Sequence, residues 1–214
     1  MRRHFPALDG LRAVAVCVVV YGHAGGPLVR PALGVDVFFT LSGFLITTLL
    51  LCEFKEFGSI SLKNFYVRRT LRLTPALWLM LLTVGLIGLF APAHKPNIFH
   101  LMAYGLTYTM NWARALGVDD AFALGEGAQS SPVSHTWSLG VEEQYYAIWP
   151  FVISTLCRRT TARARVVYLT GGAALLASYR AAMVGTFSYE RIYHGLDTHA
   201  DGLVLGSALA ALLS

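Results

Sequence analysis

Arg12 and His23 stand eleven residues apart in an apolar stretch, FPALDGLRAVAVCVVVYGHA, over 5–24. At about 100° per residue, eleven steps bring a helix back to within roughly 20° of its starting face. With ~1.5 Å rise per residue, the two groups lie on one stripe, on the order of 16 Å apart. A guanidinium and an imidazole are costly in lipid and are tolerated where they face the inside of a bundle. The stretch by itself fits two readings: a functional pair, or a snorkelling arginine with an interfacial histidine.

Three further groups have types suited to chemistry. Glu142 and Glu143 sit in WSLGVEEQYYAIWP, where a helix points them about 100° apart, so that only one faces a given cleft squarely. Carboxylates in an apolar run suggest a functional site, whereas a helix starting near Glu142 would leave both among headgroups, favoured by the helix dipole. Asp36, in GVDVFFTLSGFLIT, stands near the start of the second helix on the side where His23 ends the first, so the two are expected at similar depth. A carboxylate bonded to one ring nitrogen fixes the tautomer and leaves the other nitrogen as a base. The competing reading of Asp36 is a helix cap. Ser42–Gly43 in the same block reads as a close-packing contact ahead of a nucleophile. Finally, FYVRRTLRLTPALW carries Arg68, Arg69 and Arg72, with Arg68 and Arg72 on one helical face. Guanidinium forks suit phosphate oxygens, but arginines at a helix start also hold that end inside the cell, and without other information topology is the favoured reading.

These residues need helices to carry them. The 214 residues are 55% hydrophobic and only 14% charged, with mean hydropathy +0.54. That is a membrane-protein composition, since soluble domains are nearer a quarter charged. The net charge of +5 lies in short clusters between apolar runs, with no basic stripe interleaved with aromatics, so no nucleic-acid partner is expected. The three cysteines show neither CxxC nor Cys/His ligand spacing. They indicate no disulfide framework and no metal, and read as small buried hydrophobes.

A spanning helix needs ~20 largely apolar residues. After the first stretch, candidates cover 34–51, 74–91, 98–113, 137–157, 166–187 and 202–214. The expected fold is therefore an all-α, polytopic membrane bundle of about six to seven segments, forming a single domain over 1–214. Basic loops orient it. Arg2 and Arg3 precede the first helix, and Lys55, Lys63, Arg68, Arg69 and Arg72 follow the second, so the N-terminus is expected in the cytoplasm. Arg158, Arg159, Arg163 and Arg165 mark another inner loop. That loop lands outside if every candidate crosses. The repair is to make 98–113, short and rich in polar groups, a re-entrant or interfacial segment, with Asp119, Asp120 and Glu126 outside.

The blocks together resemble the membrane-bound acyltransferase-3 family, bacterial O-acyltransferases that decorate envelope glycans such as lipopolysaccharide and other hydroxylated acceptors. The stretches LDGLRAVAVCVVVYGHA, GVDVFFTLSGFLIT, FYVRRTLRLTPALW, HTWSLGVEEQYYAIWP and THADGLVLGSALA carry the resemblance, in order and over nearly the whole chain. It implies an acyl-CoA donor, commonly acetyl-CoA, and transfer to a hydroxyl of a carbohydrate acceptor. It also implies residence in the plasma (inner) membrane, an essential His23 with Arg12 in the same motif, and important Arg69 and Arg72. Thr74 stands where the family often has an aromatic before the proline. Members usually have about ten membrane helices, whereas this chain stops within the seventh candidate, so a fragment, a truncated product or a divergent short form is expected.

In the expected mechanism, Arg69 and Arg72, with Arg68 and Arg12 as further candidates, hold CoA phosphates. His23 is the general base or a transient acyl carrier, and Asp36 or Glu142, with Glu143 beside it, orients or neutralises the imidazolium. Two rivals from other classes are a lipid-linked-glycan or small-molecule transporter, for which no inverted repeat is visible, and a non-catalytic membrane partner.

Overall fold

The structure, a computed structural model, describes residues 6–24, 31–90, 95–118 and 133–214. The acidic stretch with Asp119, Asp120 and Glu126 lies outside them. Ten α-helices and one 3₁₀ turn are present among the described residues: α1 Pro6–His23, α2 Pro31–Phe57, α3 Leu62–Phe90, α4 Lys95–Leu106, α5 Met110–Ala115, the turn Ser134–Thr136, α6 Trp137–Arg159, α7 Ala162–Met183, α8 Tyr189–His194, α9 Leu196–His199 and α10 Asp201–Leu212. The only β feature described is an isolated bridge, Val184 to Phe187. The all-helical expectation holds.

Among the described residues, α2 and α3 are long and apolar enough, by length and composition, to cross a membrane, against the six to seven segments expected. Charge and length explain the difference. The helix α6 carries Glu142 and Glu143 at one end and Arg158 and Arg159 at the other. Arg163, Arg165 and Arg180 interrupt α7, and α4 has 12 residues. Twelve residues rise about 18 Å, short of a ~30 Å hydrocarbon core. Along α3, Trp78, Leu79, Leu82, Leu86, Ile87 and Phe90 are exposed, an apolar face suited to lipid rather than to water.

Contacts divide the chain into two compact units, one of 1–58, 151–177 and 200–214, the other of 59–150 and 178–199. In the first unit α2 packs on α1 and α10. Gly34 lies on α1, where a Cβ would come 2.8 Å from the Ala15 carbonyl oxygen. Gly43 and Gly206 allow α2 and α10 to touch backbone to backbone: a Cβ on Gly43 would sit 1.9 Å from the Leu203 oxygen, and one on Gly206 1.9 Å from the Thr40 oxygen. The buried Thr47 hydroxyl donates to Ser207 Oγ at 2.8 Å, and that hydroxyl is shared between the Gly43 and Leu203 carbonyls at 3.1 and 2.9 Å. Small residues and interhelical hydroxyl bonds are how helices associate where lipid supplies no hydrophobic drive. Gly43 is thus a packing position, as the sequence favours.

Contacts also fix the relative directions of neighbouring helices. From Gly202 beside Thr40, through Ser207 bonded to Thr47, to the Lys55 ammonium bonded to the Ser214 carbonyl, numbers rise together, so α2 and α10 are parallel. In the second unit Tyr66 meets Ala147 while Arg69 meets Glu143, so α3 and α6 are antiparallel. In the same unit α4 runs back along α3: Gly85 lies against Met102 and Gly105 against Leu81.

Candidate active site

The sequence-predicted residues divide between the units. Arg12, His23 and Asp36 belong to the first. One unbroken helix, α1, carries both Arg12 and His23, so the ~16 Å spacing along one stripe stands. Arg12 is half-buried. Asp36 is half-buried one turn inside α2, and its carbonyl accepts from Thr40 Oγ1 at 3.0 Å. Its register is informative. Gly34 packs on Ala15 and Val19, whereas His23 lies a further turn beyond Val19. For a helical hairpin this offsets Asp36 from His23 by on the order of 9 Å along the axis. The two backbones do not share a depth.

The second unit holds Arg68, Arg69, Arg72, Glu142 and Glu143. Arg69 directs Nε and Nη2 at Oε1 of Glu143, at 2.7 and 2.5 Å, and its guanidinium centre lies 3.6 Å from the centroid of the Tyr146 ring. The two charged side chains are 19% and 17% exposed, so the pair is largely withdrawn from solvent. Arg68 and Arg72 are exposed, and Glu142 is half-buried. Of the adjacent carboxylates, the one facing α3 is thus Glu143.

A second set of polar groups, missed by the sequence reading, surrounds the start of α6. Gln144 is the hub. Its amide nitrogen donates to the Tyr108 carbonyl at 2.7 Å and to Asn111 Oδ1 at 2.8 Å, while its oxygen accepts from Trp112 Nε1 at 3.1 Å. Two local features admit this cluster. Tyr108 turns the chain with φ +56°, and a Cβ on Gly140 would come 2.8 Å from the Tyr108 oxygen. Beside it, Arg114 Nε donates to Nε2 of the buried His194 at 2.9 Å. Nδ1 of His194 lies 3.0 Å from both the Glu190 carbonyl and Glu190 Oε2.

Burial, the Arg114 charge and the neighbouring His199 outweigh the Glu190 carbonyl and lower the His194 pKa to about 3. The contact with Glu190 is therefore donation from a neutral Nδ1–H, not an ion pair. Trp137 meets His194 edge-on at 4.6 Å and stacks on His199 at 5.9 Å.

Arg191 and Asp197 form a bidentate pair at 2.9 and 2.7 Å over Gly195. Burial alone would raise the Asp197 carboxyl, but the Arg191 bonds and charge prevail and hold it below its ordinary value. Glu190 and Arg191 also line an open cleft of about 540 Å³ with Phe187 and Ser188. The signal in the sequence was the density of hydrogen-bonding side chains in the short gap between two apolar runs. Among the described residues, no three His, Cys, Asp or Glu side chains come together as a metal site. Cys17 and Cys52 are exposed rather than buried, because both lie on outward faces of α1 and α2.

The combination defines a helical protein with apolar outer faces and charged groups paired inside. The acyltransferase-domain family, acyltransferase-3, matches residues 5–200, and the chain belongs to it. The family is one of membrane proteins. It is 34% identical over 217 residues, 98% of its length, to the Staphylococcus aureus (strain COL) protein named "Putative O-acetyltransferase SACOL0978". Over 98% of its length it is also 34% identical to "Peptidoglycan O-acetyltransferase OatA" of Listeria monocytogenes. The chain spans about a third of these relatives, 35% and 34% of their lengths. No solved structure matches it.

Proposed function

We propose that the chain transfers an acetyl group from acetyl-CoA to a hydroxyl of an envelope glycan, with His23 as the general base. The membrane is the bacterial plasma membrane, with the N-terminus on the cytoplasmic side. The observation that carries this reading is the family match together with one continuous α1 bearing Arg12 and His23 on a single stripe. The ~16 Å between them is of the order of an extended pantetheine arm. Arginines of the α3 run, and Arg12 as a further candidate, provide guanidinium forks for the donor phosphates.

In the reaction, the acceptor oxygen forms a bond to the thioester carbonyl carbon while its proton passes to His23. The C–S bond breaks, and the leaving thiolate takes up a proton to give CoA–SH. A transient acetyl-imidazole on His23 is the alternative use of the same residue. The names of the relatives point to peptidoglycan as the glycan class. Membranes containing the chain are to be supplied with acetyl-labelled acetyl-CoA and muramyl glycan. Label in the glycan that mild alkali releases supports O-acetyl transfer. Label that stays in the donor, or enters the glycan in membranes lacking the chain, contradicts it.

A further inference from the structure

The three arginines of α3 are not equivalent, and their differences can be read from one contact. Arg69 is already occupied. Two of its N–H donors converge on Oε1 of Glu143 and one face of its guanidinium lies on the Tyr146 ring. A phosphate approaching those donors would meet the Glu143 carboxylate at close range, where like charges disfavour both. A second tie lies nearby, the Tyr66 hydroxyl donating to the Ala147 carbonyl at 2.8 Å. Tyr66, Arg69, Glu143 and Ala147 therefore join α3 to the first half of α6 along one line of contact. Arg72, three residues on, is exposed.

We propose that Arg69, with Glu143 and Tyr146, is a positioning bracket that fixes α3 against α6, and that donor-phosphate contact belongs to Arg72. Glu143 is accordingly a positioning residue and not a catalytic one. The bracket rests on geometry within one unit, whereas the Arg72 assignment rests on the acyl-CoA reading above. Planar guanidinium suits the role: it can fork to a carboxylate and lie on an aromatic ring together, which an ammonium cannot.

The test compares Arg69→Glu, Glu143→Arg and the exchanged pair, with Glu143→Gln, Arg69→Lys and Arg72→Ala. Thermal midpoints are read in detergent, and donor KM and kcat in membranes. Each single charge reversal is expected to lower the midpoint, and kcat by about tenfold or more. The exchanged pair should recover much of both, with donor KM within about twofold of the parent. Glu143→Gln and Arg69→Lys should lower the midpoint by less than the reversals do. Arg72→Ala should keep the midpoint and raise donor KM by about tenfold.

An exchanged pair that recovers nothing, or Glu143→Gln with an unchanged midpoint, overturns the bracket even if the reversals fail to fold. Arg69→Lys with an unchanged midpoint and a donor KM raised tenfold assigns Arg69 to the donor and overturns it too. Absence of acyl-CoA-dependent transfer in the parent protein defeats the donor reading alone, because the midpoints still decide the bracket.

Discussion

Arg114 Nε lies 2.9 Å from Nε2 of His194. A guanidinium always donates, so this contact assigns the Nε2 lone pair as acceptor and leaves the imidazole proton on Nδ1, toward Glu190. Protonating Nε2 would set two donors against each other inside a buried site. The structure thus keeps a histidine neutral at a position where Arg114 on α5, Glu190 on its own helix, His199 on α9 and the Trp137 ring on α6 all face it.

That arrangement gives a pH dependence whose sign is fixed. The unfolded chain binds a proton near the ordinary histidine value of 6.5, while the folded protein binds it only near pH 3. Between those values the unfolded state holds more protons, so stability is lost as pH falls. From pH 7 to pH 4 the loss from this group amounts to about 3 kcal/mol. Thermal midpoints of the detergent-solubilised protein should therefore fall across that range. His194→Gln, which keeps an acceptor for Arg114, should flatten the fall. A variant with the same pH slope as the parent would contradict the assignment.

At the start of α6, Gln144 satisfies the Tyr108 carbonyl, the Asn111 amide and the Trp112 indole together. Gln144→Leu strands these groups in a partly buried setting, at a cost of about 1–3 kcal/mol for each one left unpaired. The expected result is a clear loss of thermal stability, with Trp112 fluorescence shifted as its indole N–H loses its acceptor. An unchanged midpoint would show that the hub is not needed.

The α2–α10 contact is expected to be intolerant of a single methyl group. Ala at 206 would place a Cβ 1.9 Å from the Thr40 oxygen and 2.8 Å from the Phe44 nitrogen. Backbone cannot yield as a side-chain end can, so Gly206→Ala should cost about 1–3 kcal/mol. Each kcal/mol lowers the midpoint by about 2–4 °C in a chain of this size. Gly171→Ala is the control, because nothing lies within 4 Å of its Cβ, and alanine there should be neutral or slightly stabilising.

What the sequence disclosed follows from how far each signal acts. Helices and their apolar faces are local, so the helix Pro6–His23, which carries both Arg12 and His23, was legible. Pairing was not legible. Arg69 and Glu143 are 74 residues apart, and nothing near either one names the other. The Asp36 register was missed because it depends on how closely Gly34 lets α2 approach α1. His194 was passed over because a lone histidine outside a motif carries no signal until Arg114 is placed beside it.

The central claim is that His23 performs the proton transfer of an acetyl-CoA-dependent O-acetyltransferase. Its most direct test is label transfer from acetyl-CoA to muramyl glycan in membranes bearing the parent chain or His23→Ala at matched abundance. The variant is expected to lose roughly 10²–10⁴-fold in rate, the usual worth of a positioned base. Undiminished transfer by His23→Ala would contradict it.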